Sequence, residues 1–416
     1  MYSIANTRQS MKIVENPAID IKESFISLDF SNQVSMPFSD NGSKKPKVGL
    51  DCLSLPRYFS GAAYYIYYLT CHLLMKQRNH GYVIFCKPRH VSLFQEYLSK
   101  KDAIVSVNIK SRVHQLLTYE FRLRSIIRKH DVQLFHATHY LTPKPHSSYQ
   151  IINTFHDLGY LTYPKYYALL RRSYFKVRMR TFLKRSRKLI AVSQSTANAI
   201  HHFFPRHSKE IFTIHPGTDH LKQIEQEFEI QNGKTPFILS VNSFEKRKNF
   251  PFIIDVFNCL KKDYNIPHKL ILVGPPTNGY QSIQKFITKS HYKREIVIRH
   301  NLPLQQIRSL YHQADFFLSA STYEGFGFTP FEAISMDCPT FLLRNHITDE
   351  ILGSQPYIFS ELNTEKWAKT IMNEMKNGYI NRVSSKSTDK LTWHRTAQNI
   401  IELHNNLLRQ RTHVHD

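Results

Sequence analysis

The sequence predicts an α/β protein made of two doubly wound, parallel-sheet (Rossmann-like) domains facing each other across a cleft. Three observations carry this. Short runs rich in Val, Ile, Leu and Phe recur from residue 47 onward with helix-like segments between several of them. These runs are apolar throughout rather than alternating, as in strands buried on both faces of a helix-covered parallel sheet. The series stops at a polar stretch after residue 217 and then restarts, so 416 residues divide naturally into two modules.

Taken in order, residues 1–45 alternate weak apolar patches with Ser, Asn, Asp and Lys and read as an N-terminal extension. Acids occur throughout them and no apolar core is bounded by small residues, so they do not resemble a signal peptide. The first domain, 46–220, carries the runs KVGLDCLSL, YVIFC, AIVSV, VQLFH, QIINTF, KLIAVS and IFTIH. An uncharged run from Tyr58 to Met75 approaches membrane length, but its five tyrosines predict a buried helix instead. The second domain, 234–390, carries FILSVN, KLILVG, EIVIRH, DFFLSA, PTFLL and YIF, and 391–416 should be a helix packing back toward the N-terminal domain. Ligands in such sheets bind at the carboxyl ends of strands, so the cleft is where function is sought.

Charge is uneven. Residues 51–200 hold 24 Lys/Arg against 6 Asp/Glu, whereas the rest of the chain is close to balance. A cationic half suits nucleic acid, anionic lipid headgroups or a phosphorylated substrate, and charge alone does not choose among them. The five cysteines are scattered and never spaced as CxxC, so neither a disulfide framework nor a structural zinc site is signalled and a cytoplasmic compartment is expected.

The most informative segment is ADFFLSASTYEGFGFTPFEAISMDCP, residues 314–339. A strand should end at Ser319, and Gly325 and Gly327 then allow a tight turn into a helix near Pro330. The helix N-terminus would aim partial positive charge at a ligand, with Glu324 in the loop and Glu332 in the first helical turn. Taken singly, Glu332 is equally a helix-dipole residue and Glu324 a solvated acid. A second cluster, Lys246, Arg247 and Lys248, lies between a strand and a helix, where cations suit a diphosphate, although most charge runs are simply solvated. A third is His156 with Asp157 at the end of QIINTF; His156 is one of 23 histidines but sits where a strand enters the cleft.

Together these segments resemble the retaining GT-B glycosyltransferases of family 4, the mannosyltransferase-like and glycogen-synthase-like members of glycosyltransferase group 1. Glu324 to Glu332 matches the E-x7-E motif in its YEGFG setting, and SFEKRKN resembles the basic motif of the donor domain. FHDLGYLTYP, KLIAVSQSTANAI and IHPGTD follow in family order, and SGAAYYI is similar to a degenerate Gly-loop that keeps Gly61. The resemblance implies that Glu332 binds the nucleotide ribose, that Glu324 approaches the donor sugar, and that the amides of Gly327, Phe328 and Thr329 bond to that sugar. Arg247 and Lys248 would stabilise the leaving diphosphate. His156 would reach the sugar through its backbone carbonyl or a ring nitrogen. The implied catalytic set is thus His156, Glu324 and Lys248, with no metal and no cofactor, because side chains and helix dipole supply the countercharge.

Departures from the pattern shape the substrate expectation. Ser243 stands where many members have a second phosphate-binding Arg, Asn242 replaces a common Gly, and Asp337 replaces another. A small residue at the first position is shared with some mannosyltransferase-like members, which favours GDP-mannose. The expected activity is hexosyl transfer from a nucleotide sugar to a glycan or lipid-linked acceptor in cell-surface polysaccharide synthesis. The rival is a membrane- or nucleic-acid-binding protein on an inactive scaffold of the same fold; no nucleic-acid-binding signature supports it, and nucleic acid is not expected as a partner.

The stretch from Tyr163 to Lys188 bears on location. Nine basic residues and no acid lie between Arg171 and Lys188. On a helix, Leu170, Tyr174 and Val177 form one apolar stripe and Phe175, Met179 and Phe182 another on the opposite side. One stripe docks on the domain; the other is either buried too, with arginines snorkelling outward, or rests in an anionic headgroup layer. The second option predicts a peripheral protein on the inner membrane face, held by Arg171, Arg172, Arg178, Lys184 and Arg185.

Overall fold

The structure is a computed structural model. It describes residues 45–412 apart from 58, 60, 168, 208, 225–234, 356 and 379–382; the N-terminal extension, except Lys45, lies outside the described residues. The first sheet contains β1 (Lys47–Asp51), β2 (Gly81–Cys86), β3 (Ala103–Ser106), β4 (Leu134–Ala137), β5 (Gln150–Phe155), β6 (Lys188–Ala191) and β7 (Ile211–Thr213). The second contains β8 (Phe237–Val241), β9 (Lys269–Val273), β10 (Ile296–Arg299), β11 (Phe316–Ser319), β12 (Thr340–Leu343) and β13 (Ile358–Phe359). Their orders are β3-β2-β1-β4-β5-β6-β7 and β10-β9-β8-β11-β12-β13. All pairings are parallel. Each order reverses direction beside its first strand, which is the switch point where a crevice opens at the carboxyl ends.

The helices that matter for the cleft are α1 (Ala62–Met75), α2 (Leu169–Arg185), α3 (Gln194–Phe203), α4 (Phe250–Tyr264), α5 (Phe328–Ser335), α6 (His346–Leu352) and α7 (Trp393–Thr412). Within the Tyr58 to Met75 run, Ala62–Met75 forms α1, whose residues from Tyr65 to Leu74 are all buried. They are covered on one side by the first sheet and on the other by α7. That helix crosses back from the second domain and buries Trp393, Ala397, Ile400, Ile401, Leu403 and Leu407. At about 1.5–3 kcal/mol for each large side chain removed from water, this contact holds the C-terminus firmly to the N-terminal domain. Its start is set by the Trp393 amide, which donates to Asp219 Oδ1 at 2.9 Å. One apolar cluster runs through both domains, from Val48 and Leu50 to Leu239, Phe317 and Trp393.

In α2, Phe175, Met179 and Phe182 are buried, while Tyr174 and Val177 are exposed, so the helix is one-sided. Two of the five cations expected to face a lipid surface are engaged elsewhere. Arg178 and Arg185 both bond Glu120, at 3.2 and 2.9 Å, and Arg185 also donates to the Thr142 carbonyl. They anchor α2 to the neighbouring helical segment, because a half-buried carboxylate without them would be an unpaired charge. Arg172 is half-buried, Lys184 is exposed, and the side chain of Arg171 lies outside the described residues. Among the described residues no helix is long and apolar enough to cross a membrane.

Candidate active site

A cavity of about 360 Å³ opens where the carboxyl ends of both sheets meet. Its walls include Gly61, His156, Arg247, Lys248, Glu324, Gly327, Phe328, Thr329 and Glu332. The catalytic and donor-site residues expected from the sequence, with Gly61, therefore line one space, whereas Lys246 of the basic cluster does not.

On the C-terminal side, β8 ends at Val241 and the chain turns through a short 3-10 turn, Lys246–Lys248, before α4. The neighbouring strand β11 ends at Ser319 and its loop brings Glu324 against that turn. Arg247 Nη1 donates to Glu324 Oε2 at 2.9 Å, and Lys248 Nζ donates to Oε1. All three side chains are nearly buried. Burial alone would raise the Glu324 carboxyl, but attraction to Lys248 and Arg247 overrides it and holds the group down at about 2. Glu324 is thus a permanent carboxylate clasping two cations. Glu245 completes the cluster, accepting from Arg247 Nε at 2.7 Å and from Ser243 Oγ at 3.0 Å. With Ser at 243, the Glu245 carboxylate is free to fix the guanidinium of Arg247.

Gly327 caps α5 with φ of 80°, a left-handed value that suits glycine, and leads the amides of the first turn toward the cavity. The helix begins at Phe328, so Glu332 is its fifth residue and lies past the first turn rather than in it. It is not a helix-dipole residue. Tyr311 donates to Glu332 Oε2 at 3.1 Å and to the Thr329 carbonyl at 3.2 Å, and His220 Nε2 lies 3.3 Å from Oε1. The His220 ring, which makes no hydrogen bond to Glu332, stacks against Tyr64 of α1, also a cavity wall. Thr329 Oγ1 is buried without a hydrogen-bond partner in the protein, a polar group placed for a ligand.

On the N-terminal side, His156 follows β5. Its Nε2 is 2.8 Å from the Thr138 carbonyl, and since a carbonyl only accepts, Nε2 carries the proton. Burial lowers the ring's pKa, outweighing that bond and Asp157, so the imidazole is neutral near pH 7. The backbone carbonyl of His156 is covered by Gly325: a Cβ there would lie 1.9 Å from the oxygen. Gly325 thus packs directly against the His156 carbonyl, while Nδ1 is the ring nitrogen not engaged by Thr138. Gly61 caps α1 at φ of 49° and borders the same cavity.

Glu245, Tyr311, His220 and Tyr64 were not legible as site residues. Nothing local distinguishes them among 23 tyrosines and 23 histidines, and only Glu245, inside the basic motif, carried a positional signal. Among the described residues no three His, Cys, Asp or Glu side chains gather as a metal site.

Two facing parallel-sheet domains with a cation-carboxylate cluster and a glycine-capped helix at their cleft define a glycosyltransferase of the GT-B class. Two adjoining family models match the chain, Glycosyltransferase Family 4 over residues 59–221 and Glycosyl transferases group 1 over 222–389. The chain belongs to this family. It is 22% identical over 298 residues to the O-antigen chain mannosyltransferase RfbU of Salmonella typhimurium, covering 70% of this chain and 80% of that protein. It is 23% identical to O-antigen chain mannosyltransferase B of Escherichia coli, over 55% of this chain and 61% of that one. Among solved structures, sucrose-phosphate synthase from Thermosynechococcus elongatus superposes with a TM-score of 0.68 at 14% identity, over 88% of this chain and all of that one. Anabaena HepE with UDP and glucose superposes at 0.61 and 14%, over 87% of this chain and all of that one.

Proposed function

We propose that the protein transfers mannose from GDP-mannose, with retention, to a glycan or lipid-linked acceptor in cell-surface polysaccharide synthesis. The observation that carries the reading is the buried Glu324, Arg247 and Lys248 cluster at the cleft, facing His156 of the other domain. A donor diphosphate beside Arg247 and Lys248 would share their charge with Glu324, so negative charge developing on the leaving group is met by donors already in place. Glu332, oriented by Tyr311, accepts from the ribose hydroxyls. Retention requires the acceptor oxygen to enter on the face from which the diphosphate departs. As the sugar–phosphate bond breaks and the new glycosidic bond forms, the acceptor's proton passes to the departing phosphate oxygen. Mannose is favoured by the two O-antigen relatives and by the small residue at Ser243.

The same reading makes the reaction independent of metal, because cationic side chains and the α5 N-terminus hold the diphosphate. A lipid-linked acceptor would be met at a bilayer, to which the exposed outer face of α2 attaches the protein. The test is nucleotide release from GDP-mannose, UDP-glucose and ADP-glucose, with and without EDTA. GDP-mannose should be turned over fastest and EDTA should leave the rate unchanged. Preference for another donor refutes the mannose assignment, and loss of activity restored only by Mg²⁺ or Mn²⁺ refutes metal independence.

A further inference from the structure

Eight large apolar side chains are exposed among the described residues, and six of them lie on two adjoining segments. Three are on α2: Leu169, Tyr174 and Val177. The others, Val113, Leu117 and Phe121, lie on a helical segment that runs from Arg112 to Lys129 through a wider π turn at Thr118–Arg122. Their spacing of four sets them in a row along one side, while Tyr119, Leu123 and Ile127 face the core. Val113 and Phe121 are each 66% exposed, so the row is not a fringe of the core.

We propose that this row is an insertion face that seats the N-terminal domain, together with α2, on an anionic lipid surface. Single exposed apolar residues are ordinary, but six gathered on two bonded segments mark an interaction face. The segments are bonded through Glu120, next to Phe121, which holds Arg178, next to Val177. Lys144 Nζ lies 5.0 Å from the centre of the Phe121 ring. Charge selects the partner. Glu120 is the only acid between Lys110 and Lys129, against six cations, and it is neutralised by Arg178, Arg185 and Lys144. What remains exposed around the apolar tips is cationic: Lys110, Arg112 and Arg122 on one segment, Lys176, Arg180 and Lys184 on the other. Apolar tips ringed by unopposed cations match acyl chains beneath anionic headgroups.

This inference rests on the membrane reading of α2 and adds a second element to it. The full-length protein is sedimented with phosphatidylcholine vesicles with and without phosphatidylglycerol. Three forms are compared: wild type, the triple variant Val113→Ser, Leu117→Ser, Phe121→Ser, and the triple variant Lys176→Gln, Arg180→Gln, Lys184→Gln. The serine variant should lose about tenfold or more in partitioning to anionic vesicles, because three apolar side chains no longer leave water. Its nucleotide release should be unchanged. In a separate Phe121→Trp variant, tryptophan emission should shift to the blue with anionic vesicles and be quenched by brominated lipid. If the serine variant binds like wild type while the glutamine variant does not, the insertion face is wrong and the α2 reading stands. If wild type never sediments, both are wrong. Self-association of wild type that the serine substitutions abolish, without vesicle binding, would assign the row to a second copy and overturn the proposal.

Discussion

Glu332 is held by a Tyr311 hydroxyl on one oxygen and approached by His220 on the other, so its carboxylate has little freedom. Glu332→Ala should weaken donor binding by about 1–3 kcal/mol, a rise in the dissociation constant of roughly five- to 150-fold, since buried hydroxyls would lose their acceptor. Tyr311→Phe removes only the orienting bond and should cost about 1 kcal/mol in the same calorimetric titration. Wild-type affinity in both variants would show that the ribose binds elsewhere. Lys248→Ala should instead lower turnover more than affinity, because charge on the departing diphosphate is greatest in the transition state. Asp337 has a different lesson. Its φ of 57° is left-handed, which explains why glycine is common there in the family and why Asp, which tolerates that region, can stand in. Asp337→Val should cost about 1–2 kcal/mol more in denaturant melts than Asp337→Gly.

The loop from β11 to α5 does two tasks at once. Glu324 binds the basic turn within its own domain, while Gly325 meets the other domain through the His156 carbonyl and through Ser193 Oγ, which donates to the Gly325 carbonyl at 2.7 Å. A few residues away along the seam, Glu350 of α6 accepts from the amides of Gln194 and Ser195 at the start of α3 and from His215. These contacts set how closely the two domains approach. A methyl at Gly325 would collide with backbone that cannot rotate away, so Gly325→Ala should push the loop back and cost about 1–3 kcal/mol. Its effect should fall on the transfer rate rather than on donor affinity, because the groups assigned to the donor belong almost wholly to the C-terminal domain. A donor Kd that worsens as much as kcat would show that the loop displacement disrupts the Glu324 cluster itself.

Across the whole molecule, the returning helix α7 is fastened by a buried histidine chain. His404 Nε2 lies 3.1 Å from His136 Nδ1, Tyr82 bonds the other nitrogen of His404, and His136 bonds Thr154. His80, beside His404, bonds Asn405. Burial lowers all three rings: His136 to about 3, His80 to about 4, and His404 well below its usual value with help from its two histidine neighbours. A base with a depressed folded pKa adds stability that is present above its unfolded value of about 6.5 and lost as pH falls toward the folded value. Stability should therefore drop between pH 6.5 and 4. His404→Gln, which keeps a hydrogen-bonding side chain but cannot titrate, should reduce that slope by about 1.4 kcal/mol per pH unit in urea melts. An unchanged slope would mean that α7 does not depend on the neutrality of this chain.

The architecture was readable because most of the strands among the described residues are short runs of largely apolar, buried residues, and because loops at their carboxyl ends carry the polar and glycine-rich motifs. The residues lining the cleft could be named for the same reason: they lie in the loops that follow strands or in the helices those loops lead into. Their partners could not. Lys248 meets Glu324 across 76 positions only because β8 and β11 are neighbours, and that adjacency is set by crossover helices rather than by any local pattern. Tyr311 and His220 reach Glu332 from a third helix and from the connection between domains, with no mark in their own surroundings. The same holds for Arg178 and Arg185, which a charge run presents as surface cations and which the packing of α2 turns inward to Glu120. Periodicity reports whether a residue is wet or dry, since that is decided by the face it occupies. Which charge it meets depends on the order of strands, a property of the folded chain.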